Sequence, residues 1–347
     1  MGGKGPVGRC PGLLASEAEG GRPGLLLWGS PLLGAQWVAA VHSSLGVIYK
    51  LGRPMVVRYL RGVFTPVLPQ VATAQPPGTV RAAVEGVLSG LGQGLPVSAA
   101  GQSFAWPYLL GRPAILPAAD PAAWAAALLG AAVGLAALLR ADWSAAWRGL
   151  RHRRPEAGGP EALALAAAIV PCWLLQLRLG AWAAQFEAAA GVGLLLVVTG
   201  QALQVGERWG RLGSRTPGPG GGRMPPWLAL LGGLAAGFAA LPGLSALAVL
   251  LAAALYGRLS AERAGRFALM AATGVIALQA LTGLPALAAG FRPSLVVLAA
   301  GAAVGAVAGG WLLQSVLRAA AQRALPVVAS YCTALGALVL MFGVFQR

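Results

Sequence analysis

Few residues in this chain could carry chemistry. Among its 347 residues there are 10 Asp and Glu, 2 His and 3 Cys. Cys10, Cys172 and Cys332 lie far apart, and so do His42 and His152. These spacings encode neither a disulfide framework nor a metal site. The residues in the most informative settings are neutral. Ser98 follows Leu95-Pro96, and Ser245 follows Leu241-Pro242, each inside a glycine-rich apolar run. Proline has no N–H to give a helix, so each run must break there. A helix restarting after the break presents free N–H groups and the positive end of its dipole, which attract anions. The amides after Pro96 and Pro242, with the hydroxyls of Ser98 and Ser245, are therefore expected to cradle a phosphate. Gln93 and Gln102 can hydrogen-bond but cannot act as bases near neutral pH.

Glu85 is the carboxylate closest in sequence to either break. With Ser89 and Gln93 it recurs every four residues, which forms one stripe on a helix. Two roles are open to it: chemistry from one turn away, or a surface ion pair with Arg81 at i−4. Glu187 begins the apolar part of another run. An intramembrane carboxylate is a functional candidate, but a solvated place at the interface also accommodates this one. His152, in RHRRPE, reads as a loop residue near anionic headgroups.

The elements that hold these residues are membrane helices. Hydrophobic residues make up 57% of the chain, charged residues only 10%, and mean hydropathy is +0.70. This excludes a disordered chain, and the long unbroken apolar runs argue against a β-barrel. The formal charge of +16 does not point to nucleic acid, because the arginines sit between apolar runs, as membrane topology places them. Spans of sufficient length are predicted at 121–139, 161–178, 182–203, 265–283, 293–313 and 326–345. The arginine-rich linkers 140–160 and 204–225, with 258–266 and 314–325, fall on one face, which the positive-inside rule makes cytoplasmic. That map requires 226–257, broken at Pro242-Gly243, to enter and leave on one side as a re-entrant helix pair. Residues 81–112, broken at Leu95-Pro96, look like its counterpart. Paired broken helices in two halves point to a midplane site between inverted repeats. Pro96 and Pro242 are expected to be neighbours there, with both serines facing a shared cavity. Residues 1–80 form a separate N-terminal segment, Gly/Pro-rich at its start. Disorder, an extra span and a true start at Met55 all remain open for it.

At these two breaks the sequence resembles the undecaprenyl-diphosphate phosphatases of the bacitracin-resistance type. SGLGQGLPVSAAGQ (89–102) resembles their motif E-G-x-x-E-F-L-P-x-S-S-T-G-H, and PGLSALA (242–248) resembles P-G-x-S-R-S-G. EALALAAAIVPCW, GLLLVVTGQALQVGERWGR, YGRLSAERAGRFALMAA and ASYCTALGALVL resemble the flanking helices in order, so the likeness covers about 81–345. Gly90, Leu95, Pro96, Ser98, Gly101, Pro242, Gly243 and Ser245 match the motifs. The family's glutamates fall at Ser89 and Gln93, its histidine at Gln102 and its arginine at Ala246. The residues that bend and cap the backbone match, and the ionisable ones do not.

The resemblance implies an all-α polytopic protein of the bacterial plasma membrane, with about six transmembrane helices and two re-entrant pairs. It implies a hydrolase that dephosphorylates the undecaprenyl-diphosphate carrier of peptidoglycan synthesis, with Mg²⁺ or Ca²⁺ as the family's cation. It assigns Glu85, Ser89 and Gln93 to the catalytic carboxylate region, and Ser98, Gln102, Gly243, Ser245 and Ala246 to substrate binding. No metal ligands and no cofactor are evident from the residues themselves. The expected partners are the membrane and a polyprenyl phosphate lipid. A homodimer is allowed, and nucleic acid is not expected. Because the motif carboxylates, histidine and arginine are substituted, hydrolysis is expected to be absent or very slow. The alternatives are a polyprenyl-phosphate binder or transporter, and a scaffold without a lipid ligand.

Overall fold

The positions at which helices start follow from local chemistry. Asp120 accepts a bond from the Ala123 amide at 3.0 Å just ahead of Pro121, whose missing N–H costs nothing in a first turn. Ser260 accepts from the Arg263 amide at 3.4 Å, with Glu262 in the first turn. The computed structural model describes residues 78–111, 120–152, 159–183, 186, 188–213 and 223–345. Nearly all of the N-terminal segment and Glu187 lie outside the described residues. The described residues belong to one unit, Arg61–Arg347.

The described elements are all helical. They are α1 (Thr79–Gly94), α2 (Ala99–Leu109), α3 (Pro121–Leu138), α4 (Arg140–His152), α5 (Gly159–Ala183), α6 (Ala189–Gly213), α7 (Pro226–Gly237) with a 3-10 turn (Phe238–Ala240), α8 (Ala246–Tyr256), α9 (Ala261–Ala289) and α10 (Pro293–Phe345). Six stretches are long and apolar enough to cross a membrane: Pro121–Leu138, Glu161–Gly180, Ala189–Gly210, Ala261–Ala289, Pro293–Ala319 and Ala324–Gly343. The protein is a multi-pass plasma-membrane protein.

Two sequence expectations need correction. The linker 140–160 opens with a helix, α4. Its Trp143, Ala146, Trp147 and Leu150 follow the spacing of an amphipathic helix face, a period masked by the surrounding arginines. The span placed at 182–203 starts at Ala189 and runs on to Gly213. Apolar length alone misplaces both ends, because backbone hydrogen bonding continues past Glu207 and Arg208. The spans predicted at 293–313 and 326–345 are found as Pro293–Ala319 and Ala324–Gly343, joined within one helical element, α10. A straight helix of 53 residues would be about 80 Å long. Instead, a Cβ at Gly94 would stand 2.6 Å from the Gly310 amide, while Gln102, eight residues further on, accepts a bond from Tyr331. Those contacts require α10 to fold back between its halves. Pro326 lies in the reversal, where a helix bends most readily.

Glycine does the packing that large apolar side chains cannot do in lipid, where small residues let helices approach closely. Gly86, Gly90 and Gly94 of α1 lie against the backbone carbonyls of Leu298, Ala302 and Ala306, and Gly301, Gly305 and Gly309 lie against those of Ala83, Val87 and Leu91. The second half of the chain mirrors this. Gly233 of α7 sits on the Ala168 backbone of α5, and Gly237 sits on Leu175. The broken pair of each half thus leans on a span of the other half.

The charged residues gather at the helix ends. Arg266 pairs with Asp142 at 3.3 Å and Glu262 at 3.0 Å, and Arg318 reaches Glu262 at 3.2 Å. Trp209 meets Tyr256 edge to face. Asp120 pairs with Arg292 at the far ends of α3 and α10. Leu150→Cys and Arg258→Cys are therefore expected to react with an impermeant thiol reagent from the same side of intact vesicles, and Phe291→Cys from the opposite side. Labelling of positions 150 and 291 from one side would overturn the map.

Candidate functional site

The two breaks meet. After α1, Leu95 still bonds back to Leu91, Pro96 ends the helix, and Ser98 caps α2 with its Oγ accepting from the Gly101 amide at 3.1 Å. After α7 and its 3-10 turn, the chain passes Leu241-Pro242 to Gly243, whose φ of +108° is a conformation for glycine. Ser245 then caps α8, its Oγ accepting from the Ala248 amide at 3.2 Å. Ser98 Oγ also accepts from the Gly243 amide at 3.2 Å, which joins the breaks directly. Contact is close enough that a Cβ on Gly101 would stand 2.9 Å from Gly243 Cα.

A third residue completes the junction, one that sequence reasoning missed. Thr199 of α6 donates from Oγ1 to the Gly243 carbonyl at 2.9 Å and accepts from the Ser245 amide at 3.1 Å. Its only sequence signal is a lone threonine inside GLLLVVTGQALQ, a polar group at membrane depth. Thr199 is fully buried, and Ser98 and Ser245 are 4% exposed. The serines therefore do not stand open around a cavity as expected. Their oxygens take up the helix-terminal amides because an amide left unpaired in an apolar interior costs more than one capped locally. Each hydroxyl keeps its own proton to donate. Thr199→Val leaves the Gly243 carbonyl and the Ser245 amide unpaired, at about 1–3 kcal/mol each. A lowered unfolding midpoint in detergent is the expected result.

The remaining site residues separate into two groups. Ala246 opens α8 beside the junction. Gln102, one turn past Ser98, accepts at Oε1 from Trp106 Nε1 at 3.0 Å and from the Tyr331 hydroxyl at 2.6 Å. Two donors on one oxygen fix the amide orientation and leave Nε2 buried without a partner. Tyr331 and Trp106 had no sequence signal beyond being aromatic. Glu85, Ser89 and Gln93 share one stripe on α1, with Gln93 in its last turn and Glu85 two turns further back. Glu85 is held by Arg81 at 2.7 Å, and ten residues of helix place it about 15 Å along the axis from Leu95. The structure brings Ser98, Gly243, Ser245, Ala246 and Gln102 together and leaves Glu85 outside.

A model of the bacitracin resistance protein BacA family matches residues 82–338. The chain belongs to this family. No curated protein matches it significantly. The matched stretch contains both proline breaks, both capping serines and Thr199. The family's activity is that of an undecaprenyl-diphosphate phosphatase. The divalent cation it implies does not fit the donors here. Mg²⁺ and Ca²⁺ bind best to carboxylate oxygens, whereas the junction offers neutral hydroxyls whose oxygens already accept backbone bonds. Among the described residues no three His, Cys, Asp or Glu gather.

Proposed function

We propose that this protein binds the polyprenyl phosphate or diphosphate carrier of cell-wall synthesis at the junction of its broken helices, and hydrolyses it very slowly or not at all. One observation carries this reading. The Ser98–Gly243–Thr199–Ser245 hydrogen-bonded junction is intact and contains no ionisable side chain. The hydroxyl protons of Ser98 and Ser245 and the Nε2 protons of Gln102 remain as donors for phosphate oxygens. Hydrolysis needs a proton acceptor and a stabiliser of developing charge, and among the described residues the junction supplies no carboxylate, histidine or arginine. Binding of this kind needs no divalent cation. The test has two arms. Undecaprenyl phosphate binding, measured with and without EDTA, is expected to persist, and phosphate release from undecaprenyl diphosphate is expected to stay near background. Binding that vanishes with EDTA would overturn the reading.

A further inference from the structure

A cleft of about 350 Å³ lies between α3, α5 and α9, and its wall residue Gln176 donates to the Ala236 carbonyl near the end of α7. That volume is within the range of small-molecule sites, roughly 300–1,000 Å³. Its walls include Pro121, Trp124, Trp173, Gln176, Gln279 and Thr282, and no charged residue lines it. Its depth follows from the helices. Pro121 is the first residue of α3, beside the Asp120–Arg292 pair at the outer end. Gln279 precedes the last residue of α9, Ala289, by ten positions, which is about 15 Å of helix. The cleft therefore runs from the ends of α3 and α9 that lie opposite the arginine-rich linkers toward the middle of the spans. Leu174, Leu177, Leu281 and Leu284 around it are all more than 40% exposed, so its mouth faces acyl chains.

Inside, the polar groups are incompletely matched. Gln176 is 6% exposed and accepts at Oε1 from Gln279 Nε2 at 2.7 Å. Gln279 Oε1 has no hydrogen-bond partner among the described residues. At membrane depth an unmatched carbonyl costs several kcal/mol. Among the described residues lining the cleft a phosphate would find no cation and an ammonium no anion, and the charges of Asp120 and Arg292 beside Pro121 are spent on each other. A hydroxyl suits the amide in either of its two flipped orientations, since it both donates and accepts.

We propose that this cleft binds an uncharged lipid alcohol, its hydroxyl donating to Gln279 Oε1 and its chain leaving between the exposed leucines. Ser98, Thr199, Gly243 and Ser245 of the carrier junction do not line the cleft. It can be tested on the full-length protein in detergent with a diazirine-bearing oleyl alcohol, its methyl ether and its phosphate ester. The alcohol should label residues of α3, α5 or α9 around the cleft saturably. The methyl ether, which cannot donate, should bind about two- to tenfold more weakly, the worth of one hydrogen bond, and the phosphate should not be preferred. Gln279→Leu should reduce the alcohol to the level of the ether and leave undecaprenyl phosphate binding unchanged. Equal labelling by alcohol and ether, or preference for the phosphate, would overturn the proposal. If Gln279→Leu does not fold, the wild-type comparison of alcohol with ether still decides it.

Discussion

Purified protein given undecaprenyl diphosphate with Mg²⁺ or Ca²⁺ is expected to release phosphate at least about 10²-fold more slowly than a family member with intact motifs assayed beside it. Removing one positioned acid–base group typically costs about 10²–10⁴-fold. Removing one preorganised charge stabiliser costs about 10²–10³-fold. By the motif resemblance, Ser89, Gln93, Gln102 and Ala246 fall at the positions of the motifs' ionisable groups, and the proposed loss of hydrolysis rests on that reading. Groups that act as a unit fail together, so the losses do not multiply, but the smallest of them already leaves a weak catalyst. Glu85→Gln is expected to change neither phosphate release nor carrier binding, because Arg81 holds that carboxylate at the start of α1. Fast, metal-dependent turnover would defeat this account. Its loss in Glu85→Gln would show that α1 rearranges to bring Glu85 to the junction.

The largest effect on stability is expected at Gly90. A Cβ there would collide with the backbone carbonyl of Ala302, and Gly305 makes the reciprocal approach to Val87. Backbone cannot turn aside as a flexible side chain can, so α1 and α10 would have to separate along their length. Overpacking of this kind costs about 1–3 kcal/mol and more where nothing yields. Gly90→Leu is expected to abolish the monodisperse peak on size exclusion in detergent. Gly180→Ala provides the contrast. A Cβ at Gly180, inside α5, meets nothing within 4 Å, and replacing a helical glycine by alanine favours the helix by about 1 kcal/mol. That variant should be unchanged or slightly more stable. A folded, stable Gly90→Leu protein would mean that the α1–α10 contact contributes little.

The membrane class, the two breaks and the capping residues were legible in the sequence because each depends on local chemistry. Proline cannot donate, serine and aspartate cap, and long apolar runs cross bilayers. Span limits were less legible, since α6 carries its hydrogen bonds through Glu207 and Arg208, where hydropathy has already fallen. The helix α4 was hidden because its arginines suggested a linker while its tryptophans kept a helical period. In the site, Ser98 and Ser245 could be found from their place after a proline. Thr199, Tyr331 and Trp106 could not, because their roles arise from helices that are remote in sequence. Thr199 reaches Gly243 across 44 positions, and Tyr331 reaches Gln102 across 229. Glu85 illustrates the converse. Its stripe with Ser89 and Gln93 is real helical geometry, but a stripe runs along the helix, and the junction lies beyond its end.

The crossed leaning of each half on the other sets a timetable for biogenesis. Gly94 is made 207 residues before Gly301, the first glycine of the facing stripe (301 − 94). At about 5–20 residues per second, that interval is roughly 10–40 s. For that time Gly86, Gly90 and Gly94 have no helix to receive them, and Ser98 waits for a Gly243 amide that is 145 residues away. The first broken helix is therefore inserted early and folded late. A nascent chain that stops before α10 carries an unclosed glycine groove in the membrane, so the proofreading of this protein falls on a helix made long after the one it receives.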